Sequence, residues 1–206
     1  MLLLHGGAGR EAPTPVSAVQ PSVLRMVPLA LRVAAASRRR LLVARVVNTY
    51  RGWDASRTPV EDAVHALDEL TGRYRELPAC LVGHSLGGRA AVRAAAERTQ
   101  VRGVVALAPW VHVDDGRGLR GRRVLVVHGS RDAVAPEGRA LAMARALADE
   151  NDVGVVRLTE GGHALVREQG VVDALATDFV RVVLLGQEPR SDLLRRIAAG
   201  EHAVTI

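Results

Sequence analysis

The chain alternates short apolar runs with longer stretches in which apolar residues recur every three or four positions. Leu2–Leu4 is apolar and stops at Gly6-Gly7. Residues 16–36 read as helical, with Pro21 and Pro28 blurring the limits of that region. Residues 41–47 form a continuous apolar run broken only by Arg45, the mark of a buried strand, and a polar loop over 48–58 follows. Pro59 suits the first turn of a helix, and Val60, Ala63, Val64, Leu67 and Leu70 carry helical spacing to about Arg75. Further strands are predicted at 79–82, 101–107, 123–127 and 153–158, and further helices at 86–98, 137–149 and 171–185. A polar break at 186–189 precedes a short helical tail, Leu193 to Ala199.

Strands separated by helices imply βαβ units. The expected fold class is therefore α/β, with a mostly parallel central sheet covered by helices on both faces. A chain of 206 residues fits one domain, taken as 1–186, with a tail over 187–206. In such sheets ligands bind beyond the carboxyl ends of the strands, so the residues that follow each strand carry the functional question.

Composition narrows the function classes. At 48% hydrophobic and 24% charged, the chain is ordinary globular protein rather than disordered. One Phe, two Tyr and two Trp are too few for a stacking platform that holds single-stranded nucleic acid. The single cysteine, Cys80, excludes an internal disulfide or a cysteine-built zinc site, and mid-strand it reads as a small buried hydrophobe. All 28 basic residues are arginine, and the net charge is +6. The arginines are scattered, the tightest groups being Arg38–Arg40, Arg122-Arg123 and Arg195-Arg196, too short for a polybasic arm. The excess reads as a coding habit, and no nucleic acid or membrane partner is expected. Arg25, Pro28 and Arg32 interrupt the most apolar stretch, 23–36, so it does not span a membrane, and the start lacks a leader pattern. A cytoplasmic location is the expectation.

The sharpest chemical signal is Gly83-His84-Ser85-Leu86-Gly87, set between the strand at 79–82 and the helix from 86. A serine on so tight a turn needs residues without side chains two before and two after it. The helix beyond offers unpaired N–H groups to an oxyanion. A serine hydroxyl also needs a base, and the base needs an orienting acid. His163 follows the strand at 153–158, in Glu160-Gly161-Gly162-His163-Ala164. Asp132 follows the strand at 123–127, in His128-Gly129-Ser130-Arg131-Asp132. The order Ser85, Asp132, His163 is that of the α/β-hydrolase triad.

From Leu2 to about Leu185 the chain resembles the α/β-hydrolase superfamily. The motifs that carry the likeness are His5-Gly6-Gly7 after the first strand, the Ser85 elbow, and the Asp132 and His163 loops. The segment 124–136 is similar to the acid-bearing segment of small esterases and dienelactone-hydrolase-like proteins, and the serine in the elbow points to the esterase side. The resemblance implies a Ser85–His163–Asp132 hydrolase acting on a small acyl substrate, with no metal or organic cofactor. It also implies an oxyanion hole from the N–H groups of Leu86 and of Gly7, preferred over Gly6. Against the family pattern, a first hairpin is not seen and no cap domain fits between the strands at 101–107 and 123–127, which implies an open site. The competing reading is a catalytically silent binding protein on the same fold.

Other residues compete for each role. His84 adjoins Ser85, but neighbours along a strand point to opposite sides. His5 and His128 sit at strand ends, where bonds to nearby backbone would occupy them. His65, His112 and His202 read as surface or packing residues. Asp114 and Asp115 follow the strand at 101–107 and are the rival acids. Trp53 and Trp110 also follow strands and are candidates for substrate-pocket walls, with core packing of a loop as the alternative.

Overall fold

The computed structural model describes residues 1–7, 14–53, 57–75 and 77–206. Part of the polar loop expected over 48–58, residues 54–56, lies outside them. The sheet has seven strands in the order β2-β1-β3-β4-β5-β6-β7, and every pairing is parallel. The strands are β1 (Leu2–Leu4), β2 (Ala44–Val46), β3 (Ala79–His84), β4 (Val101–Leu107), β5 (Arg123–Gly129), β6 (Asp152–Leu158) and β7 (Ala203–Thr205). The helices are α1 (Pro21–Leu24), α2 (Met26–Ala36), α3 (Thr58–Tyr74), α4 (Leu86–Glu97), α5 (Glu137–Leu147), α6 (Gln169–Leu185) and α7 (Asp192–Ala198).

Strand residues alternate between two cores. Leu2, Leu4, Leu81, Val104, Val124 and Val126 face α3, α4 and α5, whereas Leu3, Cys80, Val82, Val105, Leu125 and Val127 face α2, α6 and α7. Both faces being covered explains why the strands read as continuous apolar runs rather than as alternating ones. Cys80 is wholly buried among these side chains, and burial pushes its thiol up to about 12, so it is an inert core residue.

The expected helix over 16–36 is two helices meeting at Arg25. Proline at 28 has no N–H for the Leu24 carbonyl, and its ring crowds that carbonyl, so α1 stops there and Pro28 falls in the first turn of α2. The strand expected over 41–47 is shorter, Ala44–Val46. The tail over 187–206 contains its helix, α7, and in addition β7, which extends the sheet beyond β6. Past the paired residues, the Ile206 N–H donates to the Arg157 carbonyl at 2.9 Å and the Thr159 N–H donates to the Ile206 carbonyl at 2.8 Å.

The chain runs from β1 outward to β2 and then returns to the other side of β1 as β3. The reversal opens a crevice above the carboxyl ends of β1 and β3. Gly6-Gly7 and Ser85 lie at those two ends. Between β4 and β5 the chain holds one 3₁₀ turn, Val113–Gly116, and no inserted cap. Among the described residues no helix is long and apolar enough to cross a membrane.

Candidate active site

Ser85 sits between β3 and α4 with φ 55° and ψ −118°, a backbone conformation that side chains disfavour. Hydrogen bonds hold it there. Its N–H donates to the Leu107 carbonyl at 2.9 Å, and its carbonyl accepts from Gly88 N–H at 2.9 Å, Arg89 N–H at 3.2 Å and Trp110 N–H at 3.2 Å. The flanking glycines are required sterically. A Cβ on Gly83 would stand 2.1 Å from the Gly87 carbonyl oxygen, and one on Gly87 would stand 2.2 Å from that of Leu4. Leu86 and Gly87 open α4, where N–H groups have no intrahelical acceptor.

The structure brings the three predicted residues into one relay. Ser85 Oγ lies 2.9 Å from His163 Nε2, and His163 Nδ1 lies 2.8 Å from Asp132 Oδ2. The carboxylate can only accept, so Nδ1 carries the proton and Nε2 is left to take the one from Ser85; the tautomer follows from the partners. The other oxygen of Asp132 accepts from the N–H groups of Val134 and Ala135, both at 2.8 Å. Burial alone would raise the Asp132 carboxyl, but the Ala135 N–H, the His163 ring and the Val134 N–H together hold it below its ordinary value. It is therefore a fixed anion with its two oxygens assigned to different tasks.

The loops bearing acid and base approach closely because two glycines face each other. A Cβ on Gly129 would stand 2.0 Å from the Gly161 carbonyl oxygen. Arg131 N–H then donates to that oxygen at 3.0 Å, and Ser130 Oγ donates to the Thr159 carbonyl at 2.6 Å.

His5 and His128 are held by backbone groups. His5 is buried, with Nδ1 2.6 Å from the Gly6 carbonyl oxygen and Nε2 3.1 Å from the Asn48 nitrogen, so Nδ1–H donates and Nε2 accepts. It fixes the start of the Gly6-Gly7 turn. His128 donates Nε2–H to the Ala135 carbonyl at 2.8 Å, and the same nitrogen lies 3.3 Å from Asp132 Oδ2. His65, His112 and His202 are exposed. The rival acids are occupied elsewhere. Asp115 is buried and paired with Arg89 and Arg93, each at 2.8 Å, while Asp114 is 74% exposed.

The His84 ring is bonded to backbone and not to Ser85. Its position nonetheless matters. Its Nε2–H donates to the backbone carbonyl of His163 at 2.9 Å, and the two rings lie 5.2 Å apart. Arg25 donates to the next carbonyl, Ala164. Neither contact was legible in the sequence, since each joins residues far apart along the chain; only the His within the elbow motif hinted at one. Burial first, and then the charge of Arg25, push His84 down to about 3. A histidine that stays neutral when folded but titrates at its ordinary 6.5 when unfolded stabilises the fold fully above that value. As pH falls from 6.5 toward 3 the unfolded chain gains a proton that the folded one refuses, so stability is lost by up to about 1.4 kcal/mol per pH unit. His84→Gln should remove about one proton's worth of that slope in denaturant titrations run across this window; an unchanged slope would refute the assignment.

Trp53 and Trp110 flank one arginine. The Arg89 guanidinium carbon is 3.9 Å from the centre of the Trp53 ring and 5.2 Å from that of Trp110. Trp53 also packs on the core face of α3 and α4. Gly6 adjoins the nucleophile, since a Cβ on it would lie 3.4 Å from Ser85 Cβ. Gly7 lies between the Arg51 carbonyl and the Leu86 side chain, which its Cβ would meet at 2.0 and 2.4 Å.

A family model for serine aminopeptidase, S33, matches residues 48–123, a span that holds the elbow but neither Asp132 nor His163. No curated protein matches the chain in sequence. Among solved structures, the esterase domain of a Rhodothermus marinus protein superposes with TM-score 0.60 at 19% identity, over 78% of this chain and 81% of that one. A protein of unknown function from Agrobacterium tumefaciens gives 0.66 at 18%, over 90% and 85%. An α/β serine hydrolase homologue from Coxiella burnetii gives 0.61 at 18%, over 85% and 82%. The chain has the α/β-hydrolase fold.

Proposed function

We propose that the chain is a serine hydrolase that cleaves a carboxylic ester or related acyl bond of a small substrate through an acyl-enzyme. The observation that carries this reading is the unbroken relay from Asp132 through His163 to Ser85, at 2.8 and 2.9 Å. His163 takes the Ser85 proton as Oγ attacks the carbonyl carbon. The tetrahedral oxyanion is held by the N–H groups of Leu86 and Gly7. His163 then gives the proton to the leaving group, while Asp132 stabilises the imidazolium. Water, activated by the same histidine, releases the acid and restores Ser85. The family model and the esterase and serine-hydrolase neighbours support the class. The short β4–β5 connection fits a site open to solvent, with Trp53 and Trp110 offered as walls.

A fluorophosphonate probe tests the reading directly. It should label the wild-type chain at Ser85 and leave Ser85→Ala unlabelled, with a panel of nitrophenyl esters turned over in parallel. Folded wild-type protein that neither labels nor hydrolyses any ester would leave the silent binding protein as the better description.

A further inference from the structure

We propose that the notch between the C-terminal ends of α2 and α6 is a binding site for a phosphate-class oxyanion, separate from the Ser85 site. A cavity of about 270 Å³ lies there, lined by Ala36, Ser37, Arg38, Arg40, Gln187 and Arg190. Helices in βαβ units run opposite to the strands, so these helix ends lie at the far end of the sheet from Ser85.

Both walls are built. On one side the chain leaves α2 with Arg38 at φ 51° and Arg39 at φ 60°, two successive left-handed residues where a single glycine is the usual solution. Backbone bonds fix this turn: Arg38 N–H to Ala35 O at 3.0 Å, Arg39 N–H to Ala34 O at 3.1 Å, and Arg40 N–H to Ser37 O at 3.0 Å. Placing arginine rather than glycine there costs backbone strain. On the other side the buried Asp178 accepts from the N–H groups of Arg190 at 2.7 Å and Ser191 at 2.8 Å, and its second oxygen pairs with the buried Arg181 at 2.7 Å. Arg181 also donates to Gln187 Oε1. That contact occupies the acceptor of the Gln187 amide and leaves its NH₂ group as the end available to a ligand.

The polar side chains of the notch are therefore donors, apart from the Ser37 hydroxyl, which is turned to the Ala34 carbonyl. No carboxylate lines it, and among the described residues Arg38, Arg40 and Arg190 make no ion pair. Glu188 lines the adjacent cavity with Arg123 and Phe179. The two helix C-termini contribute about half a negative charge each, which three guanidinium groups outweigh. Arg38, Arg40 and Arg190 are exposed residues lining a concavity, and their uncompensated positive charge suits an anion with several acceptor oxygens, a phosphate above all.

The test is calorimetric titration of inorganic phosphate into the full chain at fixed ionic strength, beside sedimentation with phosphatidylcholine vesicles with and without phosphatidic acid. Phosphate binding without vesicle binding identifies a free anion, and the converse identifies a lipid headgroup; either supports the site. Arg38→Gln and Arg190→Gln should each weaken binding about tenfold, the loss of one charge-assisted hydrogen bond. Arg145→Gln on α5, which removes the same charge elsewhere, should leave binding unchanged. Arg38→Gly should weaken binding while raising the melting temperature, since it relieves the left-handed strain. Ester turnover should be unaffected by all four. No binding in either arm, binding that survives Arg38→Gln with Arg190→Gln, or an equal loss in Arg145→Gln would overturn the proposal.

Discussion

Ser85→Ala should lower kcat toward a nitrophenyl ester by on the order of 10⁶, His163→Ala by a similar factor, and the double variant by no more than either alone. The reason lies in the relay. With Ser85 gone the base has no proton to take, and with His163 gone the hydroxyl stays protonated, so the second loss removes nothing that still works. Asp132→Asn should cost on the order of 10⁴ with the fold intact. An asparagine carbonyl can still accept from Val134 and Ala135 N–H, as Asp132 Oδ1 does at 2.8 Å. Its NH₂ then faces His163 Nδ1, which must become the acceptor, and the ring proton moves to Nε2, where the base is needed. Losses that add in the double variant, or a full-rate Asp132→Asn, would break the mechanism. Circular dichroism melts of each variant separate lost chemistry from lost structure.

A large stability effect is expected at the elbow. Gly87→Ala should destabilise the fold by about 3 kcal/mol or more, because its Cβ would stand 2.2 Å from the Leu4 carbonyl oxygen and 2.5 Å from that of His5. Those atoms are backbone of β1 and of the oxyanion turn, so the strain cannot be relieved by a rotamer change. Gly72→Ala is the control. Within α3 nothing lies within 4 Å of its Cβ, and the substitution should stabilise by roughly 0.5–1 kcal/mol through lower backbone entropy of the unfolded chain. Denaturant unfolding of the two variants measures both, and equal effects at the two glycines would contradict the packing.

The elbow was legible because its constraints are local. A strand, a strained residue and a helix follow one another directly, and Gly83 answers contacts inside that span, with Gly87 and Gly88, whereas Gly87 answers β1 and the residue after it. Asp132 and His163 were legible because a parallel sheet puts strand ends on one rim, so residues distant in sequence become neighbours by topology alone. What stayed hidden depends on contacts that no local rule specifies. The bond from His84 to the His163 carbonyl joins the end of β3 to the loop after β6, and the facing of Gly129 with Gly161 is visible only once β5 and β6 are paired. The break at Arg25 follows from Pro28 and was open to a stricter reading of the chain. β7 escaped because Ala203–Thr205 has one apolar residue, Val204, facing the core and exposed neighbours on both sides, a pattern shared by many polar tails.

That last strand has a bearing on how the base is held. β7 is three residues long, has one neighbour, and reaches through Ile206 to Thr159, where the loop carrying His163 begins. Short edge strands open at a small fraction of the free energy needed to unfold a core. The proposed base, His163, is thus carried near the margin of the sheet, whereas the proposed nucleophile, Ser85, is rooted at its centre. On warming, the Thr159 and Ile206 amides should exchange with solvent deuterium well before those of β3 and β4. Ester turnover should then fade reversibly, in step with that exchange and ahead of the cooperative melt, so that the working temperature range is set by the rim and not by the core.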